Sequence, residues 1–223
     1  MSSGLYRPEF EHDACGVSFV ADLKGRRSHD TLALGIGALC NLDHRGATGA
    51  DPDVGDGAGV LLQVPDKFLR AVVPFSLPPE GSYFTGIGFL PQDIAQAEAG
   101  RLAIEAIIED EGLELLGWRE VPVDPSVLGA AALETMPSIR QLFVGGRPGV
   151  TDMALERMAY IVRKRIEHEV RLEAGADEAN EAMGGASEMH DGVYFTGLST
   201  RTIVYKGMLT APKVADFWDS FRT

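Results

Sequence analysis

Cysteine is scarce in this chain. Cys15 and Cys40 are the only two in 223 residues, too few for a disulfide framework at this size and without the spacing of a zinc site. Asparagine is equally rare: Asn41 and Asn180 stand alone, and neither precedes a glycine. Lys and Arg number 20 against 33 Asp and Glu, a formal charge of −13. Binding to a phosphate backbone or an anionic membrane needs clustered cations, so no nucleic acid and no membrane partner is expected. No apolar run reaches membrane-spanning length, and residues 1–14 hold no apolar core of a secretory signal. A cytoplasmic location is the expectation.

What is present is the composition of a folded domain, 45% hydrophobic with a mean hydropathy of −0.01. Gly16–Ala21 reads as a strand starting directly after Cys15, and Ser28 caps a helix whose stripe is Leu32, Ile36, Leu39 and Cys40. Residues 59–64 read as a short buried strand, 66–73 as a brief helix, and 83–90 as a strand whose glycines allow close backbone approach. A helix over 94–111 precedes strands over 113–123 and 137–144. The periodicity predicts a long helix over 151–174, capped by Thr151, with its charged side (Arg163, Lys164, Glu167, Glu169) toward water. Residues 174–191 read as a solvated loop, 193–198 and 202–205 as a hairpin-like pair, and Pro212 starts a last short helix. Strands and helices interleave without a repeated βαβ spacing, which favours layered α+β with mostly antiparallel sheets.

Several bland readings compete for the chemistry-bearing residues. A lone cysteine beside a strand is ordinarily a core residue, and the helical stripe assigns Cys40 to that role. His12, His29 and His44 could each serve as a base, but a helix-end or capping role is ordinary for the last two. Asp51-x-Asp53-x-Gly55 resembles the opening of a calcium loop, yet its twelfth position is Leu62 where a glutamate is required. Gly55, Gly57 and Gly59 precede a strand and not a helix, so they form no phosphate cradle. No metal site is expected.

Cys15 has a different prospect. If residues 1–14 were removed, its own α-amine, with a pKa of about 8, would be the base for its thiol. The runs Asp13-Ala14-Cys15-Gly16-Val17, Ala38-Leu39-x-x-Leu42-x-His44-Arg45-Gly46-Ala47-Thr48-Gly49-Ala50-Asp51 and Gly55-Asp56-Gly57-Ala58-Gly59 resemble the glutaminase domain of the glutamate synthase large subunit. Ser199-Thr200-Arg201-Thr202 and Tyr205-Lys206-Gly207-Met208-Leu209 are similar to the same family further along.

The resemblance implies a class II glutamine amidotransferase with the four-layer αββα N-terminal-nucleophile (Ntn) hydrolase fold, truncated on its C-terminal side. Residues 1–14 would be a leader and 15–223 the N-terminal portion of the domain. Cys15 would be the catalytic nucleophile toward L-glutamine, with Arg45 and Gly46 supporting it and the Gly55–Gly59 loop packing close to the cysteine strand. The family's oxyanion hole uses an Asn-Gly pair that this sequence lacks, and losing one oxyanion donor costs about 10²- to 10³-fold in turnover. Substrate-carboxylate residues are expected beyond Thr223, so the piece alone should be nearly inert. No cofactor is expected in this chain; FMN and an iron-sulfur cluster belong to the remainder of such an enzyme. Its partners would be the rest of the large subunit and either a small NADPH-oxidising subunit or ferredoxin. The alternative is a non-catalytic scaffold or docking fragment of the same fold.

Overall fold

The computed structural model describes residues 16–46, 55, 57–170 and 192–221. Cys15, the Asp51-x-Asp53 stretch and the whole of the expected 174–191 loop lie outside the described residues.

Among the described residues six strands form two antiparallel sheets. β1 (Ala58–Gln63) pairs with β6 (Thr202–Gly207), and a four-stranded sheet runs β3 (Glu114–Glu120), β4 (Ser138–Gly145), β2 (Tyr83–Leu90), β5 (Tyr194–Phe195). β2 is the buried spine: on one face Phe84 and Leu90, with Leu142 and Val144 of β4, pack under α3 (Ile94–Asp110) and α5 (Asp152–Glu169). On its other face, Ile87 and Ile139 meet Ile203 and Tyr205 of β6, together with Leu32, Ile36 and Leu39 of α1 (His29–Asn41). The same cluster takes in Val214 and Phe217 of α6 (Val214–Phe217) and the neighbouring Trp218. A smaller cluster joins Leu69 of α2 (Asp66–Val72) to Tyr83 and Phe143; a five-residue helix, α4 (Ala130–Glu134), precedes β4. The α+β expectation with antiparallel sheets therefore holds. The helix starts also follow the sequence: the Ser28 hydroxyl accepts from the Thr31 amide, and Asp93 accepts from the Gln96 amide at 2.9 Å.

The structure corrects five readings. Gly16–Ala21 is not a strand: Val17 and Phe19 are 86% and 92% exposed. A β-rich composition forms a strand only where a ladder partner and a packing face are supplied, and no described strand pairs with it. β1 is half-buried and not buried, alternating along its length with Leu61 65% exposed, because only one face of its sheet meets the core. β3 stops at Glu120, ahead of Pro122, which has no amide to give a ladder. α5 ends at Glu169 with Val170 as its cap residue, and Thr151 stands at its start without a side-chain bond to a helix amide.

The fifth correction concerns residues 193–205, which form no hairpin. β5 pairs with β2 and β6 pairs with β1, so the chain crosses between the sheets at residues 196–201. The crossing is fixed by a reciprocal bridge: the Thr85 amide donates to the Ser199 carbonyl and the Ser199 amide to the Thr85 carbonyl, each at 3.1 Å. Gly86 makes this approach feasible, since a Cβ there would lie 1.9 Å from the Gly197 carbonyl oxygen. The glycine expectation for this strand is thus met, with a specific cause.

Candidate functional site

Of the expected site, Arg45 and Gly46 are described and Cys15 is not. After α1 the chain tightens into a short 3₁₀ turn, Asp43–Arg45, in which the Arg45 amide donates to the Leu42 carbonyl at 2.8 Å and the Gly46 amide to the Asp43 carbonyl at 3.0 Å. Gly46 then has an extended backbone at φ −82 and ψ 158. Arg45 is exposed and makes no ion pair with another described residue.

Gly16, which is bonded to Cys15, sits against this turn. A Cβ on Gly16 would lie 3.1 Å from the Arg45 Cβ and 3.2 Å from the Leu42 Cβ. The residue that follows the cysteine therefore packs on the stem of the expected supporting arginine, although a whole helix, α1, separates the two along the chain. Gly55 and Gly59 close on another partner: their Cβ positions would come within 2.6 Å of the Leu209 carbonyl and of Tyr205 and Lys206, on and after β6. This places the glycine-rich run beside the 205–209 segment that shared the family likeness.

The histidines and second cysteine take structural positions. His29 Nε2 is 3.1 Å from the Phe221 carbonyl, and His44 Nδ1 is 3.0 Å from the Asn41 carbonyl at the end of α1. Cys40 is a half-buried free thiol on α1. Among the described residues no group of three or more His, Cys, Asp or Glu could hold a metal ion, and no helix is long and apolar enough to cross a membrane.

Two polar arrangements escaped the sequence reading. Glu156 of α5 accepts from the Ser199 hydroxyl at 2.8 Å, the Thr200 amide at 2.8 Å and the Thr200 hydroxyl at 2.6 Å. Ser199 Oγ accepts in turn from the Arg201 amide at 2.9 Å and the Thr202 amide at 3.1 Å. Burial works to raise the Glu156 carboxyl, but the bonds from Thr200 and Ser199, with Arg201 nearby, outweigh it and hold the pKa below the ordinary carboxylate value. This carboxylate organises the crossover into β6. Its one signal in the sequence was the Ser199-Thr200 pair, a frequent maker of local side-chain to backbone bonds.

The second is a buried row across the sheet. Arg119 Nη1 donates to Gln141 Oε1 at 3.1 Å, Gln141 Nε2 to Thr85 Oγ1 at 3.0 Å, and Thr85 Oγ1 to the Leu142 carbonyl at 2.7 Å. Burial lowers the Arg119 pKa, and its guanidinium lies 5.6 Å from the Phe68 ring centroid.

Antiparallel sheets under helices, with Gly16 packed against the Asp43–Arg45 3₁₀ turn, are the frame of the site. The family model of the class-II glutamine amidotransferases matches residues 15–223, and the chain belongs to that family. Within it, the chain is similar to glutamate synthase: it is 41% identical over 223 residues, 99% of its length, to the glutamate synthase [NADPH] large chain of Bacillus subtilis (strain 168). It is 41% identical over 211 residues, 93% of its length, to the chloroplastic ferredoxin-dependent glutamate synthase of Oryza sativa subsp. japonica. To the glutamate synthase [NADPH] large chain of Azospirillum brasilense it is 37% identical over 220 residues, 97% of its length. The alignments span 14%, 12% and 14% of those relatives. The resemblance read from the motifs is borne out.

Proposed function

We propose that this chain is the glutaminase part of a glutamate synthase. The observation that carries the proposal is that the family match begins at Cys15. It is supported by the packing of Gly16 on Arg45, which brings the two halves of the motif to one place.

The reaction follows from a cysteine at the start of the mature chain. Removal of residues 1–14 frees the Cys15 α-amine, whose pKa of about 8 suits it to accept the thiol proton. The sulfur attacks the side-chain carboxamide carbon of glutamine, a C–S bond forms, and the C–N bond breaks as the amine passes its proton to the departing nitrogen. Ammonia leaves; water then cleaves the γ-glutamyl thioester to glutamate and regenerates the thiol. Arg45, exposed and without an ion pair among the described residues, would bring a positive charge to the run that follows Cys15, and a neighbouring cation favours the thiolate. Gly16 and Gly46 add backbone without bulk. The four-layer αββα arrangement is part of the same proposal.

The released ammonia would be used with 2-oxoglutarate in the remainder of the larger polypeptide. FMN and an iron-sulfur cluster would act there, and a four-thiolate cluster site does not fit a chain with two cysteines. Ferredoxin or an NADPH-oxidising partner would supply the electrons. The rival reading is a non-catalytic scaffold or docking fragment of the same fold. The two are separated by glutamine hydrolysis in the full-length polypeptide. Cys15→Ala should abolish it and Cys40→Ala should retain it; equal activity of both variants and the parent would reject the proposal.

A further inference from the structure

β6 enters its sheet at a pinned point. The chain reaches it through residues 196–201, where Glu156 of α5 holds the Ser199 hydroxyl and both the amide and the hydroxyl of Thr200, while the Ser199 backbone is bridged to Thr85. The Arg201 carbonyl then accepts from the Val64 amide at 2.9 Å, and the next residue, Thr202, pairs with Gln63. Where β6 begins fixes its register on β1, and a slip of one residue would turn every side chain of the strand to the opposite face. This register has little tolerance. It buries Tyr205 in the core, and it sets Gly59 opposite Lys206, where a Cβ on the glycine would lie 2.6 Å from the Lys206 Cβ and from the Tyr205 carbonyl oxygen.

From β6 the packing runs without a break to Gly16. Ile203, Tyr205 and Leu209 share one apolar cluster with Val60 and Leu62 of β1 and with Leu32, Ile36 and Leu39 of α1, so the two strands are the bed on which α1 lies. The helix leads directly into the Asp43–Arg45 turn. Leu42 and Arg45 are the residues packed against Gly16, the neighbour of Cys15. A close-packed interior transmits a displacement where a loose one would absorb it. A shift of β6 therefore moves α1 and the turn beneath Gly16.

Resting on the reading that Cys15 attacks glutamine, we infer that Glu156 is a positioning residue of that reaction: it fixes the start of β6 and, through β1, α1 and the Leu42–Arg45 turn, the place of the nucleophile. Its part is alignment, with no proton exchanged with sulfur or substrate. The groups that bind glutamine's carboxylate are expected beyond residue 223, so the effect falls on turnover and leaves KM in place.

The test uses the full-length polypeptide. Rates of glutamine hydrolysis are divided by the fraction of chains whose Cys15 is titrated to completion by an electrophilic glutamine analogue, so that misfolded chains drop out of the count. Glu156→Gln should lower kcat by about ten- to a hundred-fold with KM within about two-fold of the parent. Thr200→Val, which removes one of the hydroxyls that Glu156 holds, should lower kcat in the same sense, and it carries the test alone if Glu156→Gln yields no titratable chains. The double variant should be no slower than Glu156→Gln, because both substitutions break one link. Glu105→Gln is the control: that carboxylate holds the Trp118 indole N–H on the α3 side of the sheet, off this path, and its variant should keep the parent kcat. An unchanged kcat in Glu156→Gln, a loss confined to KM, multiplicative losses in the double variant, or an equal loss in Glu105→Gln would each overturn the inference. Cys15→Ala is measured beside them. If it is inert while Glu156→Gln turns over like the parent, only the positioning role falls; if it hydrolyses glutamine, the nucleophile reading falls and this inference with it.

Discussion

Glu156→Gln isolates the carboxylate that holds the crossover between the two sheets. In the parent, one carboxylate oxygen receives the Ser199 hydroxyl at 2.8 Å and the other receives both the amide and the hydroxyl of Thr200, at 2.8 and 2.6 Å. A glutamine has one acceptor oxygen. If that oxygen faces Thr200, its NH₂ group meets Ser199 Oγ, which already accepts from the Arg201 and Thr202 amides. If it faces Ser199, the NH₂ group meets the two Thr200 donors. Either way at least one donor is left without a partner, a loss of about 1–3 kcal/mol. Amide hydrogen exchange of residues 200–202 reads this locally, and the loss corresponds to roughly 5- to 150-fold faster exchange near neutral pH. The sign with pH is fixed by the lowered carboxyl pKa. The stabilisation is complete above the unfolded value of 4.5 and disappears as pH falls through the folded one. The parent and variant should therefore converge at acid pH, after correction for intrinsic exchange. Indistinguishable protection at pH 7, or a difference that persists undiminished at low pH, would refute the reasoning.

Two further outcomes follow from the packing. Gly86→Ala drives a methyl group to within 1.9 Å of the Gly197 carbonyl oxygen unless the backbone moves; the Thr85–Ser199 bridge should open and the soluble yield fall severely, and a variant with unchanged exchange at Thr85 and Ser199 would contradict this. Ser28→Ala removes the acceptor for the Thr31 amide at the start of α1 and should weaken that helix end by about 1 kcal/mol. Exchange at Thr31 should rise roughly five-fold, with α5 unaffected.

Elements with strong periodicity were legible from the residues. α1, β2, α3 and β4 each satisfy a local pattern and a core face together, so propensity and packing agree. Strand partnership was not legible: β5 and β6 look like a hairpin because they are close in sequence, and only the Thr85–Ser199 bridge reveals that they serve different sheets. The run after Cys15 has strand composition, but composition cannot supply the neighbour that makes a strand. At the candidate site, the motif named Arg45, and the structure brings Gly16 onto its side-chain stem. Glu156 remained hidden because its partners lie 43 and 44 positions away, a distance over which charge pattern carries no information about contact.

The central claim is that Cys15, freed of the fourteen residues before it, is the glutamine-attacking group. The most direct measurement is the mass of the N-terminal peptide after the full-length polypeptide reacts with an electrophilic glutamine analogue. One adduct on a peptide that begins at Cys15, with Cys40 unmodified and glutamine protecting in competition, is the predicted result. Adduct on Cys40, or a chain that still begins at Met1 or Ser2 while hydrolysing glutamine, would contradict it.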